Sequence, residues 1–441
     1  MFSKLNYVIS SIFTPNAIIK EANSIIFNFL WNGKDKIKRN SVIGDYDEGG
    51  LKMIHLESFV RTKHIMWIKR LLSDSFHDWK RIPNLLFKKY GNAFLLFASS
   101  SSTKVLPQLL PSFYGSLVNS WEILTSNQEI EPCNQIIWNN KSILINKKSI
   151  FISDFFKKGV TFIHQLFNEE GNILSWESFK SKFTVPNYLW IQYMGLTSAI
   201  RKQGKSKYKL FDGGITKDEI LRPLYFSLKG KEIPLNKASS KQIYESLKSD
   251  VFQAPVAKER LIEKFNFNEE ELNNIFSLPF ISTISNQIRS FQLKIIHNIL
   301  FLNDFLYNNT TLVPSPLCSL CKLENETLKH LFHECKLVKN FVTEVGMWLE
   351  IPVLKKVDIK LMLFGSVNKD APTPRINNFI ILLIKFFLFS CRRKKISPTL
   401  KYFKLYLTQY YEIEKVIAKN NNKEKVHFVK WNHSIRTKLG V

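Results

Sequence analysis

The amino-acid sequence predicts a mainly α-helical protein with a small β-hairpin in its middle region. Three observations predict it: apolar residues recur three or four apart through several long segments, strict alternation is confined to one short stretch, and a dense cysteine–histidine cluster sits between two helical segments. With 441 residues and 45% hydrophobic content, the chain has material for about three packed domains.

Thr14 and Pro15 stand in N-cap and first-turn positions ahead of Ile18, Ile19, Ala22, Ile25, Ile26, Phe29 and Leu30, whose spacing predicts an amphipathic helix ending before Gly33. A basic turn, KDKIKRN, leads into IGDYDEGGLKM, where paired Gly49 and Gly50 predict a tight turn between short extended pieces. Leu56 to Leu72 returns to helix and carries Trp67. The stretch from Ser73 to Leu235 is less regular, with breaks at Ser99 to Thr103, Pro107 and Pro111. Within it Ile143, Ile145 and Ile150 alternate, which predicts a hairpin over Ser142 to Ile152 turning at Asn146 and Lys147. Phe162 to Phe167 and Trp176 to Phe183 read as short helices separated by Gly171, and FDGGI at Phe211 as a further turn.

From Ser239 the helical pattern sharpens. Ile284, Ile288, Phe291, Ile295, Ile299, Leu302 and Phe305 predict one long helix, after which Pro314 and Pro316 deliver the chain to the cluster. Beyond the cluster, Val338, Phe341, Val342, Val345, Trp348 and Leu349 form a second stripe. The apolar run from Phe379 to Cys391 contains Lys385 and falls short of the roughly 20 residues a membrane span needs, so it reads as a buried helix. The CRRKK that follows resembles a juxtamembrane flank, and a membrane-surface role is the alternative. Ser397 and Pro398 are expected to cap a last helix through Leu400, Phe403, Leu407, Tyr410 and Ile417. Such stripes are first of all core faces. At the N-terminus, Asn6, Ser10, Ser11 and Pro15 interrupt the apolar residues and do not fit a signal peptide.

The formal charge is +26, and fourteen Lys and Arg against three Glu place +11 of it between Phe379 and Val441. A second dense patch is RKQGKSKYK, Arg201 to Lys209. A field of this sign favours polyanions, above all a phosphate backbone. The plainer reading of each patch is a solvated surface kept soluble by lysine.

Between Cys318 and Cys335 the chain reads CSLCKLENETLKHLFHEC, a C-x2-C-x8-H-x4-C arrangement. Thiolate sulfur and imidazole nitrogen in a set of four match tetrahedral zinc, and a closed set of four leaves no open position for substrate. The module is therefore expected to be helical and zinc-stabilised. On a regular helix His330 and Cys335 lie about 140° apart and His333 and Cys335 about 200° apart, so His330 needs the smaller distortion and the helix is expected to break near His333 or Glu334. The alternative is a set of reduced, buried thiols. Five cysteines are too few for a disulfide scaffold, and the other two, Cys133 and Cys391, read as packed thiols in a reducing compartment. His297 reads as an ordinary packed or surface histidine.

The segment CSLCKLENETLKHLFHECKLVKNF resembles the reverse-transcriptase zinc-binding region in the second-reading-frame proteins of LINE-type non-LTR retrotransposons. TPNAIIKEANSIIFNFLWNGKDKIKRNSVIGDYDEGGLKM is similar to the segment after their polymerase palm, around the thumb, and IWNNKSILINKKSIFISDFFKKGVTFIHQLFNEEGNILSWESF to their central linker. QIRSFQLKIIHNILFLNDFL resembles the helix leading into the cysteines, and NNFIILLIKFFLFSCRRKKISPTLKYF the C-terminal helices. The resemblance implies four segments: 1–75 thumb-like, 76–238 linker, 239–350 zinc-binding and 351–441 basic and helical. It also maps the family's metal ligands onto Cys318, Cys321, His330 and Cys335.

Polymerase chemistry needs closely placed carboxylates for two metal ions, which the family supplies from an adjacent Asp-Asp pair in its palm. This sequence has no adjacent Asp-Asp, and Asp45 and Asp47 belong to the GDYDEGG turn. Neither an endonuclease counterpart nor a triad, H-E-x-x-H pair or phosphate loop is found. The expectation is a truncated, non-catalytic, intracellular protein, nuclear or cytoplasmic, that binds zinc and RNA or DNA and takes no small-molecule substrate. Its phosphate contacts are expected at Arg201, Lys202, Lys205, Lys207, Arg392, Arg393, Lys394 and Lys395. Competing readings are a zinc-stabilised protein-interaction scaffold and a decayed element copy without function.

Overall fold

Helices begin where the sequence supplies a side-chain acceptor for an orphan amide. Ser175, Ser285, Asp358 and Asn432 each accept from the backbone N–H three residues on, and Ser239–Gln242 and Asn268–Glu271 form reciprocal capping boxes. Each such cap is worth about 1 kcal/mol. The computed structural model describes residues 2–71, 73, 76–88, 110–125, 137–138, 140, 143–160, 162–168, 170–207, 225–235, 237–355, 358–366 and 375–440. These are mainly helical, with two small antiparallel two-stranded sheets.

The chain forms two compact units. The first comprises Met1–Ile26 and Ile54–Val251. Its largest core gathers Trp121, Trp138, Phe155, Phe179, Leu189 and Tyr193. Phe179 and Tyr193 stack with ring centroids 4.3 Å apart, and the two polar tips buried nearby are satisfied: Trp138 Nε1 donates to Val160 O and Tyr193 OH to Leu174 O, each at 2.7 Å. The helix Leu56–Leu71 packs on the helix Ser112–Thr125, where the buried His64 Nδ1 lies 2.9 Å from Ser120 Oγ.

The expected hairpin is present, pairing Leu144–Ile145 with Lys148–Ser149. Asn146 and Lys147 both have positive φ, 52° and 62°, as a two-residue primed turn requires. A second hairpin, Tyr225–Leu228 with Lys231–Pro234, turns on Lys229 and Gly230 at φ 52° and 74°. It goes beyond the one the alternation predicts, because Lys-Gly lacks the Asn or Asp that usually marks such a turn. Trp176–Phe183 is a helix as expected, whereas Phe162 to Phe167 holds only a 3-10 turn, Ile163–Leu166. The turn at Phe211, the breaks at Ser99 to Thr103 and Pro107, and Cys133 lie outside the described residues.

The second unit comprises Phe27–Met53 and Phe252–Val441. Its core surrounds the helix Arg375–Lys394, in which every residue from Phe379 to Leu388 except Phe386 is buried. The apolar run is thus an interior helix, and among the described residues no helix is long and apolar enough to cross a membrane. Lys385 is fully buried, donating to Gln292 Oε1 at 2.6 Å and to Leu363 O at 2.7 Å.

Three expectations are corrected in this unit. The long helix from Ile284 to Phe305 is two helices, Asn286–Ile296 and Asn303–Asn309. Asn298 takes the left-handed conformation at φ 54°, and the bonds from Asn298 N–H to Ile295 O and from Ile299 N–H to Lys294 O close a Schellman stop. GDYDEGG does not join extended pieces: it follows the helix Arg39–Val42, and among the described residues no strand flanks it. Its glycines are required by close approach, since a Cβ on Gly50 would lie 2.1 Å from Gly44 O. The last long helix, Leu400–Asn420, is capped by Thr399 rather than by Ser397 and Pro398. Packing joins residues distant in sequence within this unit. Cys318, Cys335 and Phe341 share one core with Phe387, Phe403 and Trp431, and Phe27, Trp31 and Val42 pack on Leu293.

Candidate metal centre

The knuckle is built by backbone closure. Leu317 and Asn325 form an antiparallel bridge, Cys318 N–H donates to Glu324 O at 2.7 Å, and Lys322 N–H donates to Cys318 O at 3.0 Å with Lys322 at φ 63°. This tight return places Cys318 and Cys321 on one side of the loop. The second pair comes from the far end of the segment. Thr327 Oγ1 accepts from His330 N–H, and the chain then widens into one π-helical turn, His330–Glu334, closed by Cys335 N–H donating to His330 O at 2.9 Å. A five-residue bond aligns residues that an α-helix would leave about 140° apart. The distortion therefore ends at Glu334, where a break was expected, and takes the form of a wide turn.

The ligand atoms of Cys318, Cys321, His330 and Cys335 all lie within 4.8 Å of one another. Tetrahedral zinc with sulfur at about 2.3 Å needs sulfurs roughly 3.8 Å apart, so a small contraction completes the site. His330 Nε2 faces Cys321 Sγ at 3.3 Å while Nδ1 lies 3.0 Å from Glu324 Oε2. In the metal-binding tautomer Nδ1–H donates to that carboxylate and leaves Nε2 free for the ion, the usual carboxylate–histidine support. His333 is not in the set. The bond from Cys318 to Cys335 pushes the Cys318 thiol up, with burial adding to it, and holds Cys335 below its ordinary range. Sharing one proton across two sulfurs is how a thiol pair behaves before a cation converts both to thiolates. Cys318 and Cys335 are wholly buried and His330 is 3% exposed, so the donor set is closed to solvent on three sides and fits a structural metal rather than a catalytic one.

Beneath the knuckle lies a buried polar network that sequence spacing does not reveal. Glu326 is 0% exposed. Its Oε2 accepts from Ser319 N–H at 2.7 Å, and its Oε1 accepts from Asn303 N–H at 3.1 Å and from Arg392 Nε at 2.6 Å. Arg392 also donates to Asn303 Oδ1 at 2.9 Å, and Asn303 Nδ2 donates to Leu317 O and Ser319 Oγ. The only sequence signal was a pair of carboxylates, Glu324 and Glu326, inside the ligand loop.

The basic residues divide accordingly. Arg392 is turned inward and occupied by Glu326 and Asn303, which removes it from the set facing solvent. Arg393, Lys394 and Lys395 are exposed at the end of the same helix, with Arg393 over the Phe389 ring at 5.6 Å. Arg201 and Lys202 are exposed near the end of the helix Trp190–Lys207; Lys205 and Lys207 belong to that helix, but their side chains lie outside the described residues. The two patches belong to different units. Cys391 is a packed thiol, pushed up to about 11 by burial, and His297 is a buried helix cap.

No protein-family model matches the chain, and no curated protein does so either.

Proposed function

We propose that this chain is a non-catalytic, zinc-stabilised module that holds RNA or DNA, of the kind that follows the polymerase in LINE-type non-LTR retrotransposon proteins. The observation that carries this reading is the adjacency of Arg392 to Arg393, Lys394 and Lys395. One guanidinium anchors the helix end to the metal loop, and the next three cations project into solvent from that fixed base. A rigidly held cationic cluster binds phosphate with less ordering entropy than the same charges on a free tail. The total charge of +26 supports a polyanionic partner, and the ligand set supports zinc.

The test is a fluorescence-anisotropy titration of the full chain with single-stranded RNA over a range of salt. Binding at low salt should weaken as salt rises, and joint charge reversal of Arg393, Lys394 and Lys395 should lower the log–log salt slope by about 2, given about 0.7 per lost phosphate contact on a single strand. Absence of binding at low salt, or binding indifferent to salt, defeats the reading.

A further inference from the structure

Within the second unit, the end of the helix Glu269–Ser282, Arg375, the last turns of the helix Leu400–Asn420 and the helix Glu424–Lys430 enclose a groove of about 800 Å³. Its size falls among built ligand clefts, about 300–1,000 Å³. The floor is aliphatic: Ile281, Ile284, Ile417, Val426 and Val429 are between 40% and 81% exposed. Single exposed aliphatics are ordinary, and what sets these five apart is that they converge on one concavity.

The rim is cationic. Arg375, Lys423 and Lys425 are exposed and, among the described residues, have no carboxylate within ion-pair distance. The carboxylate in the lining, Glu414, is already held by Lys430 at 2.7 Å and by Trp431 Nε1 at 2.8 Å. The groove therefore presents uncompensated positive charge around an apolar floor.

Its rings have no face to offer a nucleic-acid base. Phe280 stacks on Tyr46 with centroids 3.6 Å apart and carries the Arg289 guanidinium at 5.7 Å, while His427 is buried against Tyr411 and Trp431. Single-strand binding relies on such faces. An aliphatic trough with a basic rim instead matches helix-in-groove recognition.

We propose that this groove docks an acidic amphipathic helix of a partner protein, with its aliphatic side chains on the isoleucine–valine floor and its carboxylates toward Arg375, Lys423 and Lys425. The site is separate from the knuckle and from the Arg393–Lys395 cluster, so it stands whether or not the chain binds RNA.

The experiment is an anisotropy titration of the full chain with a fluorescein-labelled peptide of about 18 residues, roughly five helical turns, bearing leucine every three or four positions and glutamate between them. A shuffled peptide of the same composition should bind at least about tenfold more weakly, because it has no apolar face. The double variant Lys423→Glu, Lys425→Glu should weaken the ordered peptide about tenfold with circular dichroism and Tm unchanged, and Val429→Asp should act in the same direction. Single-stranded RNA and phosphatidylserine–phosphatidylcholine vesicles should not displace the peptide. No binding, equal binding of the shuffled peptide, or indifference to the rim variant overturns the proposal. Displacement by RNA or by vesicles overturns it as well, assigning the groove to a polyanion or a membrane surface.

Discussion

Glu326 and Arg392, 66 residues apart, form an ion pair at 2.6 Å in which the carboxylate is fully buried and the guanidinium 10% exposed. Removing one partner of such a pair leaves a desolvated charge and costs about 3–5 kcal/mol. Glu326→Gln should therefore lower the stability of the second unit by that order in urea denaturation. Arg392→Lys in a chain that keeps Glu326 should also lower stability, because a lysine cannot reach Glu326 and Asn303 together. A Glu326→Gln chain with an unchanged urea midpoint would show that the pair is dispensable.

Metal content separates the two histidines near the cluster. Purified chain should carry one zinc, His330→Ala should lose it, and His333→Ala should keep it, since only His330 joins the three thiols. Ligand capture and folding are coupled in such sites, so a strong chelator should lower Tm. The idea fails if mass spectrometry finds no zinc and the melt ignores chelator.

Acid should destabilise both units through buried histidines. His64 in the first unit and His297 in the second are each pushed down to about 4, chiefly by burial. Unfolded histidine titrates near 6.5, so between about 6.5 and 4 the unfolded state takes up protons that the folded state refuses. The stability tied to these groups is complete above that window and falls within it, by about 3 kcal/mol per histidine. Urea midpoints at pH 7.5 and pH 5 measure it, and His297→Gln should flatten the drop in the second unit. Equal midpoints at the two pH values would contradict the assignment.

Lys385 acts at the alkaline end. Burial holds its ammonium well below the ordinary lysine range, and its partners are neutral carbonyl oxygens. Between its lowered folded value and about 10.4 the unfolded chain binds a proton that the folded chain does not, so stability from this group should rise as pH climbs through that window. Lys385→Met should remove that rise. A wild-type chain whose urea midpoint follows the same course from pH 7 to 10 as the variant would rule this out.

Much of this was legible because local chemistry decides it. Asn146 favours the left-handed turn position it takes, Trp176–Phe183 follows a serine cap, and three cysteines with His330 carry their own spacing rule. Preference for His330 followed from angular distance alone. The Asn298 stop was also written in the sequence, but the three-and-four spacing of apolar residues runs on past it from Ile284 to Phe305 and masks it, although Ile284 and Phe305 are exposed and Asn303–Asn309 buries none of its residues. Contacts between distant residues were not legible. Nothing in RRKK distinguishes Arg392, bound beneath the knuckle, from its three exposed neighbours until Glu326 and Asn303 are brought to it.

The discontinuity of the second unit has a consequence for synthesis. Residues 27–53 leave the ribosome about 200 residues ahead of the rest of their unit, a delay of roughly 10–40 s at about 5–20 residues per second. Throughout that interval Phe27, Trp31 and Val42 wait without Leu293, the residue they finally enclose. The nascent chain must keep this greasy segment from pairing elsewhere while another unit forms in between. Premature collapse of that segment is a hazard that a unit built from one continuous stretch would not face.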